Sequence, residues 1–115
     1  MLVHHTPAEV LCHGLELFGF KPERLSEKSQ NKRFREQYGC SPVTVAELWK
    51  QVELAEDGGE LKHLFWTLHF FKAYPLESSM RTLYNACPEI IRKWIRLFTF
   101  GIASLKDQHV SIVFL

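Results

Sequence analysis

Apolar residues recur along this chain at intervals of three and four, the spacing of helices that bury one face. Val10, Leu11, Leu15 and Phe18 share one side of a helix predicted over 7–18, opened by Thr6 as N-cap and Pro7 in the first turn. Gly19 and Pro22 end it. A second helix is expected to start after Ser26 and run to Tyr38, with Gly39 as its left-handed cap. Ser41-Pro42 then pairs an N-cap with a first-turn proline and starts a third helix, 42–54, burying Val45, Leu48, Trp49 and Val52. Asp57-Gly58-Gly59 breaks the pattern.

The fourth segment, 60–74, is apolar nearly all round through Leu61, Leu64, Phe65, Trp66, Leu68, Phe70 and Phe71, as the central helix of a small bundle is. Pro75 ends it. A short polar helix follows over 77–85, and Pro88 with Glu89 opens a last one to Leu105. Its inward stripe is Ile91, Ile95, Phe98, Ile102 and Leu105. Weak alternation over 109–115 predicts a short C-terminal strand without a partner in this chain. The expected fold is all-α, a bundle of about six helices. Residues 1–25 form an N-terminal helix and linker, 26–106 the bundle, and 107–115 the start of a following domain.

The segment 77–96 has helix-turn-helix spacing: Met80, Tyr84, Ala86, Ile91 and Trp94 occupy the apolar positions, and Asn85 the turn position that favours a left-handed backbone. Arg81 departs from the pattern, standing where the two helices usually approach over a small residue. A shift of 46 carries Phe34, Tyr38, Gly39, Cys40, Pro42, Val45 and Leu48 onto Met80, Tyr84, Asn85, Ala86, Pro88, Ile91 and Trp94. Two reading heads, or one reader and one structural copy, fit this echo equally.

Charge sharpens the picture. The whole chain is only +1, but residues 51–61 carry −4, while 21–50 carry +3 and 62–106 carry +5. Both helix-turn-helix candidates are therefore net positive, as a phosphate-facing surface requires. On the last helix Arg92, Lys93 and Arg96 are candidate phosphate contacts, one of them able to reach a guanine edge. Pro88 and Glu89 would lie closest to the bases, with Glu89 also suited to the helix dipole. Arg81 joins this set from the preceding helix. Lys32, Arg33 and Arg35, with Lys50, form a second basic group, although Glu27, Glu36 and Glu47 stand at pairing distance along the helices. Trp49, Trp66 and Trp94 fall at core positions, Trp94 locking the two motif helices together.

Other chemistry is sparse. Cys12, Cys40 and Cys87 are odd in number and widely spaced, which argues against a disulfide framework or cysteine zinc site and for buried fillers in a reducing compartment. His4, His5, Cys12 and His13 are poorly spaced for a metal, and no cofactor or small-molecule site is evident. Without a secretory signal or a membrane-length apolar run, an intracellular location is expected.

Four motifs occur in order: Arg33-Phe34-Arg35-Glu36-Gln37-Tyr38-Gly39-Cys40-Ser41-Pro42, Leu48-Trp49, Leu64-Phe65-Trp66-Thr67-Leu68-His69-Phe70-Phe71-Lys72 and Arg92-Lys93-Trp94-Ile95. In these the chain, from Arg33 to Leu105, resembles the N-terminal region of eukaryotic DDE-superfamily endonucleases, the transposases of Harbinger type. The resemblance implies a nuclear module that targets double-stranded DNA. It does not extend to the catalytic domain, whose three carboxylates hold two metal ions: the only aspartates here are Asp57 and Asp107. Asn85-Ala86-Cys87-Pro88 also replaces the family's glycine or polar cap before the last helix. The expectation is a DNA-binding module without activity of its own. A helical protein-interaction module, homodimerising through its apolar surface, and a truncated fragment without function are the alternatives.

Overall fold

All six expected helices form, and local capping explains most of their ends. The computed structural model describes residues 5–52, 54 and 57–108. Its helices are α1 (Pro7–Leu17), α2 (Glu27–Tyr38), α3 (Pro42–Val52), α4 (Leu61–Ala73), α5 (Glu77–Tyr84) and α6 (Pro88–Gln108), with a short 3-10 turn at Pro22–Arg24. Thr6 and Glu9 cap α1 reciprocally, each side chain accepting from the other's backbone N–H. Its far end closes on left-handed Gly19, as Phe20 N–H reaches back to Leu15 and Gly19 N–H to Glu16. Ser26 and Ser41 accept from Ser29 N–H and Thr44 N–H, capping α2 and α3.

Two boundaries differ from expectation by more than one residue. α3 stops at Val52 rather than Leu54, because the Leu54 carbonyl accepts from the Asp57 and Gly59 N–H groups and turns the chain. α6 runs past Leu105 to Gln108. The strand expected over 109–115 lies outside the described residues.

α4 is central. Leu61 and every residue from His63 to His69 are buried, and the helix packs on α6, α2 and α1. α1 packs on α3 and α2, α3 also on α6, and α5 on α6. Trp66, Phe34, Phe65 and Phe98 are the largest fully enclosed side chains. Trp49 stacks on Phe98 at 15°, with ring centres 6.3 Å apart, and so joins α3 to α6. Gly14 lets α1 approach α2, since a Cβ there would collide with the Phe34 ring. Tyr38, one turn past Phe34, donates its hydroxyl to the Gly14 carbonyl at 2.5 Å.

The echo at a shift of 46 is visible in the backbone. Gly39 and Asn85, at matching places, both adopt left-handed conformations, with φ of 77° and 52°. Tyr38 and Tyr84 are both buried, as are Phe34 and Met80, Val45 and Ile91, Leu48 and Trp94. The Tyr84 hydroxyl meets His69 Nδ1 at 2.6 Å and lies 3.5 Å from the Trp66 carbonyl of α4, much as Tyr38 meets a carbonyl of α1. Each half is therefore a lead helix, a tyrosine-anchored helix, a left-handed turn and a proline-started helix.

Candidate nucleic-acid interface

The turn Asn85–Cys87 fixes how α6 leaves α5, and burial of Ile91, Trp94 and Phe98 fixes its rotation. Glu89, Arg92, Lys93 and Arg96 then fall together on the exposed side of its first three turns, and Pro88 is half-buried at the start. Arg81 is exposed in the last turn of α5, so its length is not pinched between the helices. The buried side of α5 is Met80 and Tyr84.

The three cations on the first turns of α6, Arg92, Lys93 and Arg96, are not equivalent. Arg92 Nη1 donates to Glu77 Oε2 on the first turn of α5 at 2.7 Å, with both side chains about half exposed (50% and 54%). A pair that open to solvent contributes only about 0–1 kcal/mol to folding. It nonetheless offsets the field of one cation on the ridge, contrary to a wholly unpaired basic face. Lys93 Nζ lies 4.8 Å from the Trp94 ring centre, a cation–π contact that leaves its charge outward. Arg96 has no ion pair among the described residues.

Trp94 is buried. It stacks on His63 of α4, with ring centres 4.3 Å apart and planes at 4°. The cause is the rotation of α6, which turns this position toward the central helix. His63 Nδ1 accepts the Glu60 N–H at 2.9 Å, so the neutral ring carries its proton on Nε2. Burial, with help from Lys62 and Lys93, pushes its pKa down to about 4 against the pull of Glu60. Behind His63, Trp66 lies edge-on and stacks in turn on Tyr84. All three tryptophans are buried, so none offers a face for base stacking.

The second basic group rides on α2. Lys32, Arg33 and Arg35 are exposed and none has a carboxylate partner among the described residues, so Glu27 and Glu36 do not take the pairing that their spacing allows. Arg33 sits 5.7 Å from the Phe20 ring centre. Lys50 does pair, with Glu47 at 3.4 Å. α2 and α6 each pack on α4, and the two basic groups ride on separate helices.

The rest of the surface is less polar. A groove of about 520 Å³ is lined by Tyr38, Cys40, Leu68, Phe71, Lys72 and Ile102, with Tyr74 at its edge. Burial pushes the Cys40 thiol up to about 11, which makes it unreactive at neutral pH. Cys87 is exposed in the turn, outside the buried stripes of α5 and α6, and Cys12 and Cys40 are only partly buried, so none of the three is a fully buried filler. Among the described residues, no group of three histidine, cysteine or acidic side chains stands close enough to hold a metal ion. No helix among them is long and apolar enough to cross a membrane.

Two contributors escaped the sequence. Glu77 and Arg92 are fifteen positions apart on different helices, a separation that no helical period marks. His63 lies on an apolar helix whose pattern hides which partner its ring meets. The chain matches no known protein family, no curated protein and no solved structure.

Proposed function

We propose that this chain is a double-stranded DNA-binding module of transposase ancestry, nuclear, without catalytic activity of its own. One observation carries the reading. Arg92, Lys93 and Arg96 cluster on the exposed side of the opening turns of α6, directly after the left-handed turn at Asn85, and Lys93 and Arg96 have no ion pair among the described residues. A helix presented this way suits the major groove, with its N-terminal residues at the base edges. Pro88 and Glu89 lead that helix, Arg81 flanks it, and Lys32, Arg33 and Arg35 add a second cationic surface.

Of the two halves, α6 is the reader and α3 the structural copy. On α3, Pro42, Val45, Ala46, Leu48, Trp49 and Val52 are all buried, and its exposed lysine is paired with Glu47. About six phosphate contacts give a slope of log affinity against log salt near −5. Replacing Lys93 and Arg96 together by Ala should flatten that slope by about 2. The helical circular dichroism should not change, because both side chains are exposed. Unchanged binding by this double variant removes α6 from the interface.

A protein-interaction module, including a homodimer, is the second reading. It is favoured by Phe71, Tyr74 and Leu76, which are 45%, 71% and 74% exposed around the turn after α4. It predicts a mass in light scattering that rises with concentration and returns to the monomer's in Tyr74→Ser.

A further inference from the structure

Glu77 is the one carboxylate ion-paired with the basic face of α6 among the described residues. It reaches across from the first turn of α5 to Arg92, on the second turn of α6. The pair is exposed, so folding gains little from it. α5 is already held by buried Met80 and Tyr84. A surface that needed only positive charge would do better without this carboxylate.

We propose that Glu77 positions Arg92 as the guanine-reading side chain of this interface, while Lys93 and Arg96 serve the phosphates; this rests on the DNA-binding reading above. A guanidinium carries five N–H donors in one plane, and Glu77 engages a single one at Nη1. The donors that remain include a parallel pair, and a parallel pair is what O6 and N7 of guanine accept in the major groove. An unrestrained arginine must give up side-chain freedom on binding, whereas one clamped from a second helix has already done so. Pairing also weakens the field of Arg92 as seen by phosphates. Lys93, a mobile point charge, and Arg96, which has no ion pair among the described residues, suit that task better.

The test starts from duplexes selected by the full-length wild-type chain from a random pool. Affinities are then measured for the selected site and for the same site with each guanine replaced in turn. Wild type should discriminate about tenfold at one guanine, and Arg92→Ala should lose that preference alone. Glu77→Ala should lose it too, while binding unrelated DNA more tightly and with a salt slope steeper by about 1. Glu77→Gln keeps an acceptor oxygen and should retain most of the discrimination, which separates positioning from removal of a charge. Circular dichroism should be the same for all variants. If both Glu77 variants strengthen binding to every sequence alike and leave the guanine preference intact, Glu77 merely masks charge and the proposal falls. It falls equally if Arg92→Ala keeps the preference. Salt-dependent binding without any preferred site refutes the role of Glu77 but leaves the DNA-binding module standing; no binding at low salt refutes both.

Discussion

The α2–α3 and α5–α6 hairpins follow the same local rules and end in different situations. Each has a buried tyrosine, a left-handed residue and a proline-started helix. α3 is enclosed by α1 and α6, and what it exposes is Val43 and a paired Glu47–Lys50 couple. α6 packs on α4, α3 and α5 along one stripe and leaves Glu89, Arg92, Lys93 and Arg96 in solvent. A similar turn geometry thus builds either an internal strut or an outward-facing ridge. The choice is made not by the number of neighbours, since α6 has three and α3 two, but by which faces of the second helix they cover.

That contrast can be broken at the join between the halves. Phe98 is fully buried, stacks on Trp49 of α3 and lies 6.2 Å from Trp94. Phe98→Ala should cost about 3–5 kcal/mol in urea unfolding, with both halves melting in one transition. Two separate transitions would show that the halves do not share a core.

Acid should act through the buried histidines of α4. His63 has its pKa lowered in the folded protein to about 4, from an ordinary value near 6.5, and that of His69 is lowered as well. The unfolded chain therefore binds protons first as pH falls. The stability contributed by the neutral His63 ring is full above pH 6.5 and drains away between there and about pH 4, and His69 acts in the same direction. For His63 the loss is on the order of 2 kcal/mol, allowing for solvent screening. Protonation also ends acceptance of the Glu60 N–H and places a cation against Trp94, beside Lys93. His63→Gln, which can still cap, should flatten the stability profile across this window; an unaltered profile would assign the acid sensitivity elsewhere.

The tyrosines sharpen the equivalence at smaller scale. Tyr38→Phe and Tyr84→Phe each remove a buried hydroxyl from a buried partner, and each should cost about 1–2 kcal/mol. A large loss at one and none at the other would mean that the matching spacing does not reflect a matching device. The smallest effect belongs to the surface of α3: Glu47→Gln should change stability by less than about 0.5 kcal/mol, read as a shift in the urea midpoint.

Much of the fold could be read before any coordinates. Thr6-Pro7, Ser26 and Ser41-Pro42 marked helix starts, and Gly39 and Asn85 marked left-handed ends, because caps and turns are chosen by a few adjacent residues. The inward stripes at Val10 and Leu15, and at Ile91 and Phe98, followed from period alone. Less was legible at the candidate interface. Arg92, Lys93 and Arg96 of α6 are exposed as their spacing required, yet the pairing of Arg92 with Glu77 and the stacking of Trp94 on His63 could not be foreseen. Nor could the bareness of Cys87.

The amino-acid order by itself determined six helices, their caps, their buried stripes and the segregation of charge between segments. These depend on interactions between residues at most a few positions apart. Tertiary structure alone decided that α3 is enclosed and α6 is not, that Trp94 faces α4, and that Glu77 holds Arg92. Those outcomes depend on the angles at which whole helices cross, and each angle is a compromise among many side chains distant in the chain.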